Sequence, residues 1–315
     1  MRMITLSEAA TLLTEKDNIH ILTHRYPDGD TLGCAFALCY ALRSLGKKAN
    51  IIIDGNLPSK FKYLAEIYSE QDFDCEFVVS VDVAAPSLLG ENEALYKDRI
   101  DLCIDHHGTN SMVADNICID ASCAAASEII YVLIKAMKVK VTRIIANAIY
   151  TGISTDTGCF CYTNTTAQTH RIAAELIERG CEFNKINRIN FETKTRAKLK
   201  MERMVYDTME FFCNGKCAII YTTIAMQEAL GAGDDEMEGL ASIPRQIEGV
   251  KIGITMREKP DGTFKISVRT NDGIDAAKFC SQFGGGGHPA ASGCSIEGDL
   301  DTVRNMLIKA AQEVL

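Results

Sequence analysis

The stretch IDLCIDHHGTN, Ile100 to Asn110, decides how the chain is read. An apolar, strand-like run from Ile100 to Ile104 stops abruptly at a carboxylate, two imidazoles and a glycine. In an open α/β sheet, the crevice beyond the carboxyl ends of the strands is where ligands bind. Asp105, His106 and His107 at such an end are costly for folding and suited to binding or catalysis. The alternative is that Asp105 caps the following turn while the histidines sit on the surface. Other strand ends along the chain carry the same kinds of residue, and that tips the balance towards a site.

Toward the N-terminus, Ile19 to Thr23 reads as a strand ending at His24, followed by the loop Arg25-Tyr26-Pro27-Asp28-Gly29. Asp30 is placed to cap a helix from Thr31 to about Leu45. Lys48 to Ile53 reads as a second strand, and a helical segment follows Pro58. Glu76 to Val81 forms a third strand that ends at Asp82, and Ile100 to Ile104 is the fourth. Strands alternating with helical patterns predict βαβ units and a mainly parallel sheet. Ala124 to Lys138 and Thr142 to Tyr150 have helical spacing. The second of these runs into GISTDTGCF, a Gly- and Thr-rich turn around Asp156, and Ala167 to Arg179 is a further helix.

From Asn184 to about Phe212 the pattern is helical and charged, with neither Gly nor Pro. The domain reading is therefore 1–185, a helical connector 186–212, and a smaller domain 213–315. In the last of these, Cys217 to Tyr221, Val250 to Met256 and Thr263 to Arg269 look like strands, with Asp261-Gly262 turning a hairpin. Ile274 to Phe283 is helical, then come GGGGHPAASG, a short strand near Cys294 and a last helix from Leu300. The fold class is α/β, a mainly parallel-sheet domain followed by a smaller α/β domain.

A length of 315 residues suits two cores better than one. No apolar run reaches the ~18–20 residues of a membrane span. The first twenty residues mix acids and polar side chains where an export signal is apolar, so the reading is a cytoplasmic protein with no membrane partner. The 13 cysteines mostly interrupt apolar runs and read as buried reduced thiols; the pair Cys159 and Cys161 lacks the second pair that a zinc site wants. The formal net charge of −9 argues against a long polyanion as partner, because that affinity comes from neutralised phosphates. A phosphate-bearing substrate is expected to be small, gripped by a few placed arginines and metals.

His24, Asp28 and Asp30 offer an imidazole and two carboxylates within seven residues, although an Asp-, Gly- and Pro-rich loop with a helix cap has the same composition. Asp82 closes FVVSVD, where the apolar strand implies burial and a carboxylate needs a partner. Asp156 could equally form a local turn. Together His24, Asp28, Asp30, Asp82, His106 and Asp156 supply four carboxylates and two imidazoles. A parallel sheet could bring them to one edge, and the mixture suits Mn²⁺ or Mg²⁺ better than a thiolate-loving metal. The run Gly284 to Gly287 is no Walker loop, since no Lys-Ser/Thr follows; it is either a flexible turn or backbone that an anion can approach closely.

HRYPDGDTLG, SVD, IDHHGTN and STDTGCF, in that order, resemble the four motifs of the DHH phosphoesterase superfamily. FGGGGHPAASG resembles the glycine-rich signature of its DHHA1 domain. The two-domain length is closest to the stand-alone branch that acts as nano-RNase (oligoribonuclease) and as 3′-phosphoadenosine 5′-phosphate (pAp) phosphatase. The resemblance implies two divalent ions, both Mn²⁺ by preference, with Mg²⁺ as the alternative. One is held by His24, Asp28 and Asp82; the other by Asp30, Asp82, His106 and Asp156. It implies that His107 faces the scissile phosphate and that Asp105 orients a histidine. Arg269, Gly285, Gly286, Gly287 and His288 are implied to grip the substrate from the far wall of an interdomain cleft, with Arg257 and Arg245 as weaker candidates. Cys161 departs from the basic residue that the branch often has near this place.

The function so implied is hydrolysis of short oligoribonucleotides and pAp, in a chain that forms a homodimer if it follows the family. The alternatives are a phosphodiesterase of linear or cyclic dinucleotides (pApA, cyclic di-AMP) or, from another class, a non-catalytic nucleotide sensor. Family II pyrophosphatases are not expected to carry GGGGH, and RecJ-type exonucleases need further domains.

Overall fold

The computed structural model describes residues 1–315 except 232, 233, 238 and 272 and the side chains of 234 and 235. It divides into two compact units, Met1–Thr193 and Lys194–Leu315.

The first unit is built on six short strands: β1 (Arg2–Met3), β2 (Ile19–Leu22), β3 (Ala49–Ile52), β4 (Phe77–Val81), β5 (Leu102–Asp105) and β6 (Asn116–Ile119). They lie in the order β1-β6-β5-β4-β2-β3, and every pairing is parallel. From β2 the chain goes to one side for β3 and returns to the other for β4. The switch point therefore falls between β2 and β4, which puts the binding crevice beyond their carboxyl ends. His24 and Asp82 follow those two ends.

Alternate residues of these strands face opposite cores, which is why the strands read as unbroken apolar runs. Ile21, Val79 and Ile104 pack among the helices α1 (Leu6–Glu15), α2 (Gly29–Ser44), α4 (Ala126–Ala136), α5 (Arg143–Asp156) and α6 (Ala167–Glu178). Leu22, Val78 and Cys103 pack on the other face with Val83, Leu89, Met112 and Tyr96 of the short α3 (Glu93–Tyr96). Each such fully buried Leu or Phe contributes about 1.5–3 kcal/mol relative to exposure. Helix α2 is buried almost all round, from Gly29 to Leu42.

Two expectations need correction here. The cap of α2 is Asp28, not Asp30: its backbone is extended and its carboxylate accepts from the N–H groups of Asp30 and Thr31, at 3.0 and 3.2 Å. Helix α5 does not stop near Tyr150; it runs through GISTD and ends on Asp156. Gly152 lies inside the helix, and a Cβ there would collide with Ser127 and Asp30. A Cβ at Gly33 of α2 would likewise fall 2.5 Å from the Ala148 carbonyl of α5. The two helices cross on bare backbone, and this close approach draws the Asp30 turn to the Asp156 turn. Strand β1, of two residues, is too short to be recognised in sequence, and β6 is a strand that the sequence reading does not contain.

The 186–212 stretch is broken by structure of its own: α7 (Phe183–Asn187) and a π-helical turn (Arg188–Glu192) lie in the first unit, and α8 (Arg196–Asp207) lies in the second. The second unit holds a six-stranded mixed sheet of β7 (Glu210–Phe212), β8 (Cys217–Thr222), β9 (Ile252–Glu258), β10 (Thr263–Thr270), β11 (Gly286–His288) and β12 (Ala291–Glu297). The order is β11-β12-β10-β9-β8-β7. Ile254, Ile266 and Val268 face α11 (Ala276–Ser281) and α12 (Leu300–Val314), while Ile220 on the opposite face packs with Met201, Val205 and Leu240. The glycine run is therefore partly a strand, the edge of this sheet. All 13 cysteines are free thiols. Among the described residues no helix is long and apolar enough to cross a membrane.

Candidate metal centre

The carboxyl end of the parallel sheet gathers the residues that the sequence singled out in the first unit. His24, one residue past Thr23, has its Nε2 3.6 Å from Oδ1 of Asp28 at the mouth of α2. Asp30 lies in the first turn of α2 and is 1% exposed. Its two oxygens accept from Ala126 and Ser127, the first N–H groups of α4, at 2.6 and 2.9 Å. A helix N-terminus thus fixes the carboxylate and favours its charge.

Asp82 follows β4 with φ of +57°, a left-handed conformation that non-glycine residues adopt at a cost of about 1–3 kcal/mol and that clusters at functional sites. It is 4% exposed, and its Oδ1 has no hydrogen-bond donor. His106 donates from Nδ1 to the Cys123 carbonyl at 3.2 Å, a bond that sets its tautomer and turns Nε2 to the carboxylates. That Nε2 lies 3.7 Å from Asp82 Oδ1, 3.6 Å from Asp156 Oδ2 and 4.0 Å from Asp30 Oδ2. Three groups have ligand atoms within 4.8 Å of one another: His24, Asp28 and Asp82; Asp30, His106 and Asp156; Asp82, His106 and His107.

Asp105 closes β5, fully buried. It accepts from the His106 N–H at 2.7 Å, from His107 Nδ1 at 2.8 Å, and from the Asn110 amide. Burial opposes its charge, but these bonds outweigh it and hold the carboxyl below its usual range; the same bond raises the His107 imidazole.

The electrostatics of the cluster are lopsided. Burial, then the neighbouring carboxylates, drive Asp82 well above the usual range and push Asp156 up to about 9. Burial also raises Asp30, against the pull of His106. Carboxylates brought together out of water need a compensating cation. The unsatisfied Oδ1 of Asp82, the hard oxygen donors and the two imidazoles all fit divalent ions of the Mn²⁺ or Mg²⁺ type.

Several supporting residues escaped the sequence reading. Asn110 was inside the quoted stretch, and its role shows only through the fold: it ties Asp105 to the Val83 carbonyl, the residue after Asp82. Ser127 lies in a helix whose pattern signals packing alone, and Gly152 lies in a stretch that reads as a turn. Cys161 sits exposed in the loop after α5.

The remaining candidates belong to the second unit. Arg269 of β10 pairs with Ala291 of β12, and Ala291 pairs with His288 of β11, so the three form one cross-strand row. Gly285 needs to be glycine, since a Cβ would fall 2.2 Å from the Gly293 carbonyl oxygen. Gly287 has φ of +148° and packs on the Ala291 carbonyl, and Gly286 pairs with Gly293. Arg245 lies in a short helical turn, and Arg257 donates to Gln227.

A strand-end cage of carboxylates and imidazoles on a parallel sheet, followed by a separate mixed-sheet unit, defines a two-domain hydrolase of the DHH class. Residues 18–153 match the DHH family N-terminal domain and residues 218–315 match the DHHA1 domain, and the chain belongs to this family. Over 312 residues it is 32% identical to the bifunctional oligoribonuclease and PAP phosphatase NrnA of Thermus thermophilus, covering 98% of this chain and 93% of that one. Its fold matches an exopolyphosphatase-related protein from Bacteroides fragilis with a TM-score of 0.90 at 24% identity, over 98% and 96% of the two chains. It also matches the exonuclease RecJ bound to manganese, with a TM-score of 0.56 at 14% identity, over 99% and 95%. At those identities the two structures speak for the fold alone.

Proposed function

We propose that the protein is a Mn²⁺-dependent phosphoesterase that hydrolyses short oligoribonucleotides and pAp. One observation carries the chemistry: the buried, donorless Oδ1 of Asp82 stands between the His24–Asp28 pair and the Asp30–His106–Asp156 group. The choice of substrate rests on the near full-length likeness to the Thermus thermophilus NrnA.

In this reading His24, Asp28 and Asp82 hold one cation, and Asp30, Asp82, His106 and Asp156 hold the second. Such a pair supplies Lewis acidity toward phosphoryl oxygens and lowers the pKa of water. The residues of the chain do the positioning. The α4 N-terminus and the His106–Cys123 bond aim donor atoms that would otherwise sample several rotamers. Asp105 holds His107 by Nδ1, so that its other ring nitrogen can donate to a phosphoryl oxygen as charge builds there. Arg269, His288 and the glycines of the second unit bind the phosphate that is not being cleaved.

The test is a comparison of initial rates for the purified protein with Mn²⁺ on pAp, pApA, a five-nucleotide RNA, cyclic di-AMP and pyrophosphate. Fastest turnover of the RNA and pAp is expected. Preference for cyclic di-AMP would move the assignment to cyclic dinucleotides, and preference for pyrophosphate would overturn it.

A further inference from the structure

The loop from His24 to Asp28 presents one large aromatic to solvent: Tyr26 is 72% exposed. Its ring is held all the same. The Arg25 guanidinium lies over it, 4.7 Å from the ring centroid, and donates to its hydroxyl at 3.0 Å. The backbone on either side is pinned as well. The Arg25 N–H donates to the Leu88 carbonyl at 2.7 Å, Pro27 has a fixed φ, and Asp28 caps α2. Among the described residues, neither apolar core of this unit includes Tyr26. Arg25 covers one face of the ring, so the exposure belongs to the other. Tyr26 stands two residues from His24 and two from Asp28, which keeps its Cα within about 7 Å of each of theirs.

We infer that the open face of Tyr26 is a stacking platform for a nucleobase, the one on the nucleotide beside the phosphate under attack. The inference rests on the phosphoesterase reading above, which puts that phosphate at His24, Asp28 and Asp82. It adds a residue that tells nucleotides from other phosphate esters. Among possible occupants, a second cation is disfavoured because Arg25 already lies against the ring. An aliphatic group would find a single ring and no apolar wall around it. A nucleobase is flat and neutral, and its sugar carries it only a few bonds from its phosphate, as Tyr26 stands only a few residues' reach from the cage. Stacking of that kind is tolerant of sequence because every base has a π face. The platform therefore selects for the presence of a base and not for its identity. Arg25 fixes the ring from behind, and its charge favours the approach of an anionic substrate.

The chain contains no tryptophan, so Tyr26→Trp installs a single fluorescent reporter on the platform. Its emission is titrated in Mn²⁺ with AMP and with ribose 5-phosphate, which lacks the base. Saturable quenching by AMP is expected, at concentrations at least roughly tenfold below any response to ribose 5-phosphate. In parallel, KM is measured for pApA and for the same dinucleotide with one or the other base removed. Tyr26→Ala is expected to raise KM for pApA roughly five- to a hundredfold, with kcat within a few-fold, while Tyr26→Phe stays within about twofold of the parent. On the dinucleotide that has lost the stacked base, Tyr26→Ala is expected to change nothing. The Mn²⁺-induced rise in melting temperature should survive in every variant, which separates stacking from damage to the His24–Asp28 loop. No quenching by AMP, equal quenching by ribose 5-phosphate, or a KM for pApA that Tyr26→Ala leaves unchanged would overturn the inference. So would a KM shift of the same size with and without either base. An inactive parent whose tryptophan variant is still quenched selectively by AMP would remove the phosphoesterase reading and keep the platform; an active parent without any base-dependent effect would do the reverse.

Discussion

Gly152 of α5 lies so close to Asp30 of α2 that a methyl group on its Cα would come within 2.5 Å of the Asp30 Oδ1. The same methyl would overlap the Ser127 hydroxyl, on the helix whose N-terminus holds that carboxylate. A packing contact between helices and the aim of a proposed metal ligand are therefore one feature.

Gly152→Ala separates two effects by magnitude. Alanine favours a helix interior over glycine by about 0.8–1.0 kcal/mol. Overpacking a rigid core costs about 1–3 kcal/mol, and here the Ser127 side chain and the Asp30 carboxylate must yield. A net loss of stability in denaturant titration is expected, with a fall of at least roughly tenfold in kcat as Asp30 is displaced. A variant as active and as stable as the parent would show that α5 can back away without disturbing the site.

Asp82 offers the opposite balance. Its carboxylate is buried, donorless and beside other acids, and its backbone is left-handed, a region that asparagine tolerates better than most residues. Asp82→Asn should leave the metal-free protein as stable or about 1–2 kcal/mol more stable, while hydrolysis falls by roughly a thousandfold or more. Thermal melts in chelator, paired with rates in Mn²⁺, read both halves. Retained turnover would remove Asp82 from the centre of the mechanism.

How much of this was legible beforehand depends on the range of the interaction. Strand ends announce themselves locally, because an apolar run that stops at Asp82 or Asp105 implies a carboxylate near burial that needs a partner. The gathering of His24, Asp30 and Asp156 was less visible. It depends on Gly33 and Gly152 letting two helices meet, and a glycine inside a helical pattern reads as a weakness or a turn. For that reason the sequence pattern of α5 fades before Asp156, which reads as part of a turn although the helix reaches it. The exchange of cap between Asp28 and Asp30 has a similar origin. Both are good caps by type, and only the distant N–H groups of Ala126 and Ser127 claim the second. The glycine strand β11 was hidden because its pairing to β12 leaves no alternation of side chains to detect.

Removing the metal should make stability depend on pH with a definite sign. In the metal-free chain the Asp156 carboxyl is pushed up to about 9 by burial and by Asp30, and Asp82 is raised as well. A carboxyl whose folded pKa is raised favours the fold below its unfolded pKa, near 4, and loses that contribution as pH climbs through the folded value. The chelated protein is therefore expected to lose melting temperature from pH 5 towards pH 9. Added Mn²⁺ at about a hundred times its dissociation constant restores about 2.7 kcal/mol, and its effect should be largest at the alkaline end. A Mn²⁺ shift that is absent, or largest in acid, would contradict a carboxylate cage for the cation.

The second unit permits a test that leaves the cage untouched. Arg269 and His288 share one cross-strand row with only Ala291 between them. A cation that meets a phosphate remote from the bond being cleaved contributes equally to ground and transition states. Arg269→Ala and His288→Ala are thus expected to raise KM roughly tenfold while kcat stays within a few-fold. A fall in kcat with KM unchanged would place these residues on the reacting phosphate instead.

Asp105 touches chemistry only through its neighbours. Its oxygens receive the His107 ring, the His106 N–H and the Asn110 amide, so the carboxylate is the hub that orients both histidines. Asp105→Asn keeps the volume but replaces an acceptor with a donor toward either Asn110 or His107, so one bond must break. Substitutions of such supporting carboxylates usually cost 10- to 100-fold, and the loss is expected in kcat, with KM for the RNA nearly constant. Asn110→Asp would place a second acid against Asp105, weaken the same hub from the other side and lower kcat in the same way. The paired readout separates positioning from mere stability: both variants should still show the Mn²⁺-induced rise in melting temperature, because neither residue belongs to the proposed ligand set. If that rise disappears with Asp105→Asn, the carboxylate supports the cage through His106 more than it supports catalysis through His107.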